Sequence, residues 1–134
     1  MIYLDSSAVV KLVRLETSTI ELVDWLSSRP GASLVSSALV EVEVPRALRR
    51  HAPSAMSGVP GVLARLYRLE VDWAVRATAA AYQDPSLRSP DAVHLATAQL
   101  VGAEDPVEAF VAYDTRLLAA AEALGLAVAS PGLS

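Results

Sequence analysis

Apolar and polar positions along this chain sort into short unbroken runs and longer stretches with helical spacing. Ile2 to Leu4 is an apolar run that stops at Asp5. Ser33 to Ser36, Leu69 to Val71, Phe110 to Tyr113 and Leu126 to Ala129 are runs of the same short kind. Such runs read as strands. Between them the spacing predicts helices from Ser7 to about Leu15, from Ser18 with Ile20, Leu22, Val23 and Leu26 as its apolar face, and from Ser37 to Arg50. Further helices are expected up to Arg68, over Trp73 to Tyr82, from Ser89 to about Val101, and from Asp114 to Leu124.

The punctuation supports this division. Ser18 and Glu21 have capping-box spacing. Arg29-Pro30-Gly31 breaks the second helix, and Gly125 ends the last. Pro45 lies inside the third and is expected to kink or interrupt it. Ser57-Gly58-Val59-Pro60-Gly61 reads as a flexible turn. At Ser89-Pro90-Asp91, Ser caps, Pro fits the first helical position and Asp suits the positive end of the helix dipole. Strands separated by helices predict an α/β fold, a three-layer α/β/α arrangement with a central, mainly parallel sheet. The length fits one domain, 1–134. In such sheets ligands meet the carboxyl ends of the strands.

Composition narrows the chemistry. With 53% apolar and 19% charged residues, a packed interior is expected and disorder is not. The absence of cysteine excludes disulfides, thiolate zinc sites and thiol nucleophiles, so any metal must be held by oxygen or by the two histidines. A net charge of −4 argues against a broadly basic nucleic-acid surface. Carboxylates gathered around divalent cations would reverse that sign locally. No apolar run reaches the ~20 residues of a membrane span. The opening Met-Ile-Tyr-Leu-Asp lacks the form of a secretory signal, so the cytoplasm is the expected compartment.

Asp5 and Asp114 each follow a strand, and Asp91 falls in the first turn of its helix. Each suits a helix start by itself, yet three acids delivered to the same kind of junction also make a site for a hard divalent ion. Glu43 shares a helix face with Arg46 and Arg50, while Glu41 points elsewhere, so one of the two glutamates is expected at the site. His94, three residues after Asp91, is expected to be packed or hydrogen-bonded, since hard metals do not favour imidazole. His51 suits a helix C-terminus. Arg46, Arg50 and Arg116 are candidate phosphate contacts, with an ordinary solvated surface as the plainer alternative. Trp25 and Trp73 are expected in the core or at a subunit interface.

Four segments carry a resemblance: Ile-Tyr-Leu-Asp-Ser-Ser-Ala at 2–8, Val-Glu-Val-Pro-Arg-Ala-Leu at 42–48, Ser-Pro-Asp-Ala-Val-His-Leu-Ala-Thr-Ala at 89–98, and Phe-Val-Ala-Tyr-Asp-Thr-Arg-Leu at 110–117. In order and spacing they resemble the successive motifs of PIN-domain nucleases, and among these the VapC-type toxins of toxin–antitoxin pairs. The resemblance implies an endoribonuclease dependent on Mg²⁺ or Mn²⁺, inhibited by a VapB-type antitoxin and commonly a homodimer. It implies catalytic roles for Asp5, Glu43, Asp91 and Asp114, with Asp5 and Asp91 as direct metal ligands and Asp114 as a third. Two departures stand out: Ala112 replaces a frequent Ser or Thr, and Arg116-Leu117 stands where some members add a further Asp. The alternatives are a PIN-like RNA- or protein-binding module without activity, and a phosphotransfer or receiver-type Asp domain. Against the latter, Ser7 occupies the place of a second Asp and the one lysine is Lys11.

Overall fold

The computed structural model describes residues 1–133. In chain order it contains β1 (Ile2–Leu4), α1 (Ser6–Val13), α2 (Thr19–Ser27), β2 (Leu34–Ser37) and α3 (Val40–His51). A 3₁₀ turn (Pro53–Gly58) follows, then α4 (Val59–Leu63), β3 (Tyr67–Leu69), α5 (Trp73–Ala81) and α6 (Ser89–Glu104). The chain finishes with β4 (Ala109–Val111), α7 (Thr115–Ala123) and β5 (Val128–Ala129). Every link between successive strands contains a helix, so neighbouring strands run the same way. The five strands form one sheet in the order β3-β2-β1-β4-β5, with every pair parallel.

Period-two alternation along the central strands builds a core on each face. Ile2 and Leu4 of β1, with Ala109 and Val111 of β4, pack against Val9 of α1, Leu22 of α2, Val44 and Leu48 of α3 and Val62 of α4. Tyr3 and Phe110 point the other way, into Leu95 and Ala98 of α6 and Leu117 of α7. Three layers result. The chain moves outward from β1 through β2 to β3, then returns to place β4 on the other side of β1. That reversal lies between β1 and β4, where parallel sheets open a crevice at their carboxyl ends.

Several local expectations give way. Ser18 takes a left-handed conformation (φ 72°) and makes no side-chain cap bond. Thr19 supplies the polar closure instead, its Oγ1 accepting from Glu16 N at 3.0 Å and donating to Lys11 O at 3.0 Å. On α2, Thr19, Leu22 and Leu26 are buried, while Ile20 and Val23, on the neighbouring stripe, are exposed. α3 continues through Pro45 because packing of Val40, Val44 and Leu48 outweighs the one missing backbone bond. The segment expected as a turn at 57–61 instead enters α4, since Pro60 fits the first turn of a helix. The helix expected to reach Arg68 stops earlier, and β3 begins at Tyr67, paired to Val35 of β2. As an edge strand it shows little apolar signal. Ser89 is the first helical residue of α6 and not its cap; Arg88 holds the cap position without a side-chain bond. Trp73 opens α5 at 75% exposure, outside the core, whereas Trp25 packs against the core and beneath the Arg29 guanidinium.

Candidate active site

The carboxyl ends of β1 and β4 release Asp5 and Asp114 on either side of the reversal. Both are helix caps. Asp5 Oδ1 accepts from Ala8 N at 3.0 Å and from Ser7 Oγ at 2.7 Å. Asp114 Oδ1 accepts from Arg116 N at 2.8 Å and Leu117 N at 3.2 Å. In each case one oxygen serves the helix, and Oδ2 has no hydrogen-bond partner among the described residues. Capping and ligand binding, rivals from the sequence, are thus compatible at both positions. Ser7 Oγ also accepts from Tyr113 N at 3.2 Å, tying the Asp5 turn to the Asp114 turn.

Glu43 and Asp91 complete the group. Glu43 leaves the first turn of α3 and meets His94 of α6, Oε1 to Nε2, at 2.7 Å. Glu41 points away and pairs with Arg68 at 3.2 Å. The two glutamates thus point apart, Glu43 toward α6 and Glu41 toward β3. The contact joins a helix on one face of the sheet to a helix on the other, across the carboxyl edge.

The electrostatics show that these acids share one field. Asp5 is 3% exposed, and burial pushes its carboxyl up to about 6, with the charge of Asp91 adding to the rise. His94, Ser7 and the Ala8 N–H act the other way. Asp91 is also raised, first by burial, then by Asp114 and Glu43; His94 and Arg88 oppose this. Like charges gathered in a crevice disfavour one another's ionised forms.

Two participants escaped the sequence reading. Ser7 reads from the sequence as a helix start and as the residue standing where a second Asp would be, yet it bonds both strand ends. Tyr3 reads as an apolar strand residue, yet its hydroxyl lies 2.8 Å from His94 Nδ1. His94 was expected to be hydrogen-bonded, and it is, at 1% exposure. The signal for both lay in the polar atoms of otherwise apolar positions, which need partners when buried.

A 460 Å³ cleft adjoins the acids, lined by Arg88, Asp91, Tyr113, Asp114 and Arg116 among others. Arg46, Arg49, Arg50 and His51 line a second recess along α3. Among the described residues none of these arginines is in an ion pair. A larger cavity, 670 Å³, lies by Met1, Ser33 and Glu108, residues that precede their strands, and so at the opposite end of the sheet from the carboxylates. Size does not locate the chemistry here; charge does.

A hard divalent ion fits this donor set in kind: oxygen atoms, partly buried, with their negative charge uncompensated. As placed, however, no three His, Asp or Glu side chains among the described residues stand at metal-holding distance. An ion of the Mg²⁺ type needs only one or two direct carboxylates, with water in its other positions. Asp5 and Asp91 are the residues that would hold it, with Asp114 close by.

Comparison with known proteins gives three results. Residues 2–123 match the PIN domain family model. Ribonuclease VapC35 of Mycobacterium tuberculosis is 54% identical over 132 residues, covering 98% of each chain, and Ribonuclease VapC46 of the same organism is 42% identical over 130 residues, covering 97% of each. The crystal structure of VapC20 from Mycobacterium tuberculosis, a Sarcin-Ricin loop cleaving toxin, superposes with a TM-score of 0.69 over 90% of this chain and 95% of that one; at 16% identity it speaks to the fold.

Proposed function

The chain belongs to the PIN-domain family, and from that premise we propose that it is a VapC-type endoribonuclease working with Mg²⁺ or Mn²⁺ at the Asp5, Glu43, Asp91 and Asp114 centre. One observation supports the reading: four acids from four separate segments are brought to the carboxyl edge at the β1–β4 reversal, where burial first, and neighbouring carboxylates after it, raise the pKa values of Asp5 and Asp91. A divalent ion bound there would supply Lewis acidity to a phosphodiester and bring the pKa of water toward neutrality.

The chain's own residues do the rest. Asp5 and Asp91 bind, and Asp114, fixed by its cap bonds, supports them from β4. Glu43 holds Oε1 against His94 and keeps Oε2 for the attacking water, whose proton it accepts. The water oxygen bonds to phosphorus as the bond to the 3′ oxygen breaks, and that oxygen takes a proton from solvent water as it leaves. The products carry 5′-phosphate and 3′-hydroxyl ends. Arg46, Arg50 and Arg116 hold flanking phosphates, as planar guanidinium groups do well.

The proposal extends to a cytoplasmic setting, a homodimer and inhibition by a VapB-type antitoxin. No described helix is long and apolar enough to cross a membrane. The exposed Leu15, Ile20 and Val23 support an apolar partner surface beside α2.

The test is cleavage of labelled RNA with and without Mg²⁺ or Mn²⁺, for the natural chain and the Asp5→Asn and Asp91→Asn variants. Metal-dependent cleavage is expected, falling about 100-fold or more in both variants, as loss of groups acting on the transition state does. Equal cleavage by all three proteins would reject the assignment.

A further inference from the structure

Glu43 could lie along the surface, paired to Arg46 one turn away. Instead it turns inward to a fully buried imidazole, and that imidazole leads to a fully buried hydroxyl. We propose that Tyr3, His94 and Glu43 form a positioning relay: Tyr3 and His94 never touch substrate, and they fix one carboxylate oxygen of Glu43 so that the other faces the acidic centre. The inference rests on the nuclease reading for its functional meaning, but its geometry is independent of it.

The relay has three parts from three elements. Tyr3 Oη on β1 lies 2.8 Å from His94 Nδ1 on α6, and His94 Nε2 lies 2.7 Å from Glu43 Oε1 on α3. Tyr3 and His94 are 0% and 1% exposed. Bonds of this length between buried groups are short and well formed.

Chemistry fixes the direction of each bond. An ionised carboxylate only accepts, so Nε2 must carry a proton and donate it to Glu43. The Tyr3 hydroxyl carries a proton, and within its buried surroundings His94 Nδ1 lies at bonding distance to accept it. The Nε2–H tautomer then satisfies all three groups at once: Tyr3 donates to Nδ1, and Nε2 donates to Oε1. No fully buried side-chain nitrogen or oxygen among the described residues lacks a partner.

The far end of the relay is rigid. The Tyr3 ring stacks on Phe110 of β4 with planes 2° apart and centroids 5.3 Å apart, and meets the His94 ring edge-on at 75°. Tyr3 therefore belongs to the packed sheet, and its hydroxyl is a fixed point in the core. A lone glutamate on a helix samples many rotamers. One tethered through imidazole to the central strands does not, and a catalytic carboxylate needs that restriction. An apolar side chain could fill the His94 site without demanding two matched partners; the hydrogen-bonded pair adds orientation.

The experiment compares the natural chain with Tyr3→Phe, His94→Ala and His94→Gln, and repeats Tyr3→Phe in a Glu43→Ala background. Tyr3→Phe keeps the ring and removes only the hydroxyl. His94→Gln keeps an amide N–H near the position of Nε2. For each protein kcat and KM are measured on an RNA oligonucleotide, the imidazole nitrogen signals of His94 by NMR where the residue is kept, and folding by thermal melt.

Tyr3→Phe and His94→Ala are expected to lower kcat about 10-fold, the lower end for outer partners of a metal centre. KM should stay within about twofold, because the relay does not bind RNA. His94→Gln should recover part of the loss. In the Glu43→Ala background Tyr3→Phe should cost nothing further, since there is no carboxylate left to position. Normal kcat in folded Tyr3→Phe, or a full additional loss without Glu43, would overturn the relay. If His94→Ala does not fold, Tyr3→Phe decides. If the natural chain cuts no RNA, the nuclease reading fails separately, and the imidazole nitrogen NMR signals of His94 still judge the relay: an Nδ1 signal moved by Tyr3→Phe and an Nε2 signal moved by Glu43→Ala uphold it, and signals that neither variant moves overturn it.

Discussion

Asp5 gives one oxygen to the first turn of α1, while burial beside Asp91 lifts its pKa to about 6. From an ordinary 3.8 this is worth about 3 kcal/mol, at 1.36 kcal/mol for each step of one. The sign follows from which state binds the proton more tightly. Well below pH 3.8 Asp5 is neutral in both states and costs nothing. As pH rises toward 6 the unfolded chain ionises first, so stability is lost across that interval and does not return above it. Asp5→Asn, which keeps an oxygen for Ala8 N–H, should therefore be more stable than the natural chain at pH 7 without metal, by up to about 3 kcal/mol. Thermal melts from pH 3.5 to 7.5 measure this: the gap should close at the acid end, and a constant gap would contradict it. At this scale the sequence was half legible. Acids at strand ends advertise themselves because their neighbours explain them poorly. Tyr3 and His94 do not, because their partners stand 91 and 51 residues away and nothing local marks the pairing.

At the scale of elements, α3 illustrates how packing overrides local rules. Pro45 cannot donate to the carbonyl of Glu41 one turn back, yet the helix runs unbroken from Val40 to His51. Its apolar side is buried in the core formed with α1 and α4, and its polar side carries Glu43 inward. Pro45→Ala restores the donor and should raise stability by about 1–3 kcal/mol, less whatever the half-buried ring contributes by packing. A lower melting temperature in that variant would mean the ring's contacts outweigh the missing bond. The central strands were readable from their apolar runs because both faces are covered. β3 was readable only in part: the run expected at Leu69–Val71 catches Leu69 alone, since an edge strand with Tyr67 and Arg68 exposed has almost no apolar pattern. The two expected caps fail for local backbone reasons: Ser18 holds the cap position of α2 in a left-handed conformation that makes no side-chain bond, and Ser89 falls one residue inside α6, leaving the cap position to Arg88.

For the molecule as a whole, topology does what no single motif could. Parallel strands in the order β3-β2-β1-β4-β5 put the ends of β1 and β4 side by side, which brings Asp5 and Asp114 together from opposite ends of the chain. The layers then carry Glu43 and Asp91 to the same edge from opposite faces. Several acids of a chain of net charge −4 are thereby brought to one edge, where a cation would reverse the local sign, and Arg88 and Arg116, in no ion pair among the described residues, line the cleft beside them. Alternation of strands and helices made the fold readable; the convergence of four segments at one edge was implied by it but measurable only in three dimensions. The central claim, that these acids form one cation centre, is tested most directly by anomalous diffraction from crystals grown with Mn²⁺. The account predicts a peak about 2.0–2.3 Å from carboxylate oxygens of Asp5 and Asp91, within reach of Asp114 directly or through water. Saturating Mn²⁺ with no peak at that edge, or a peak held by other residues, would contradict it.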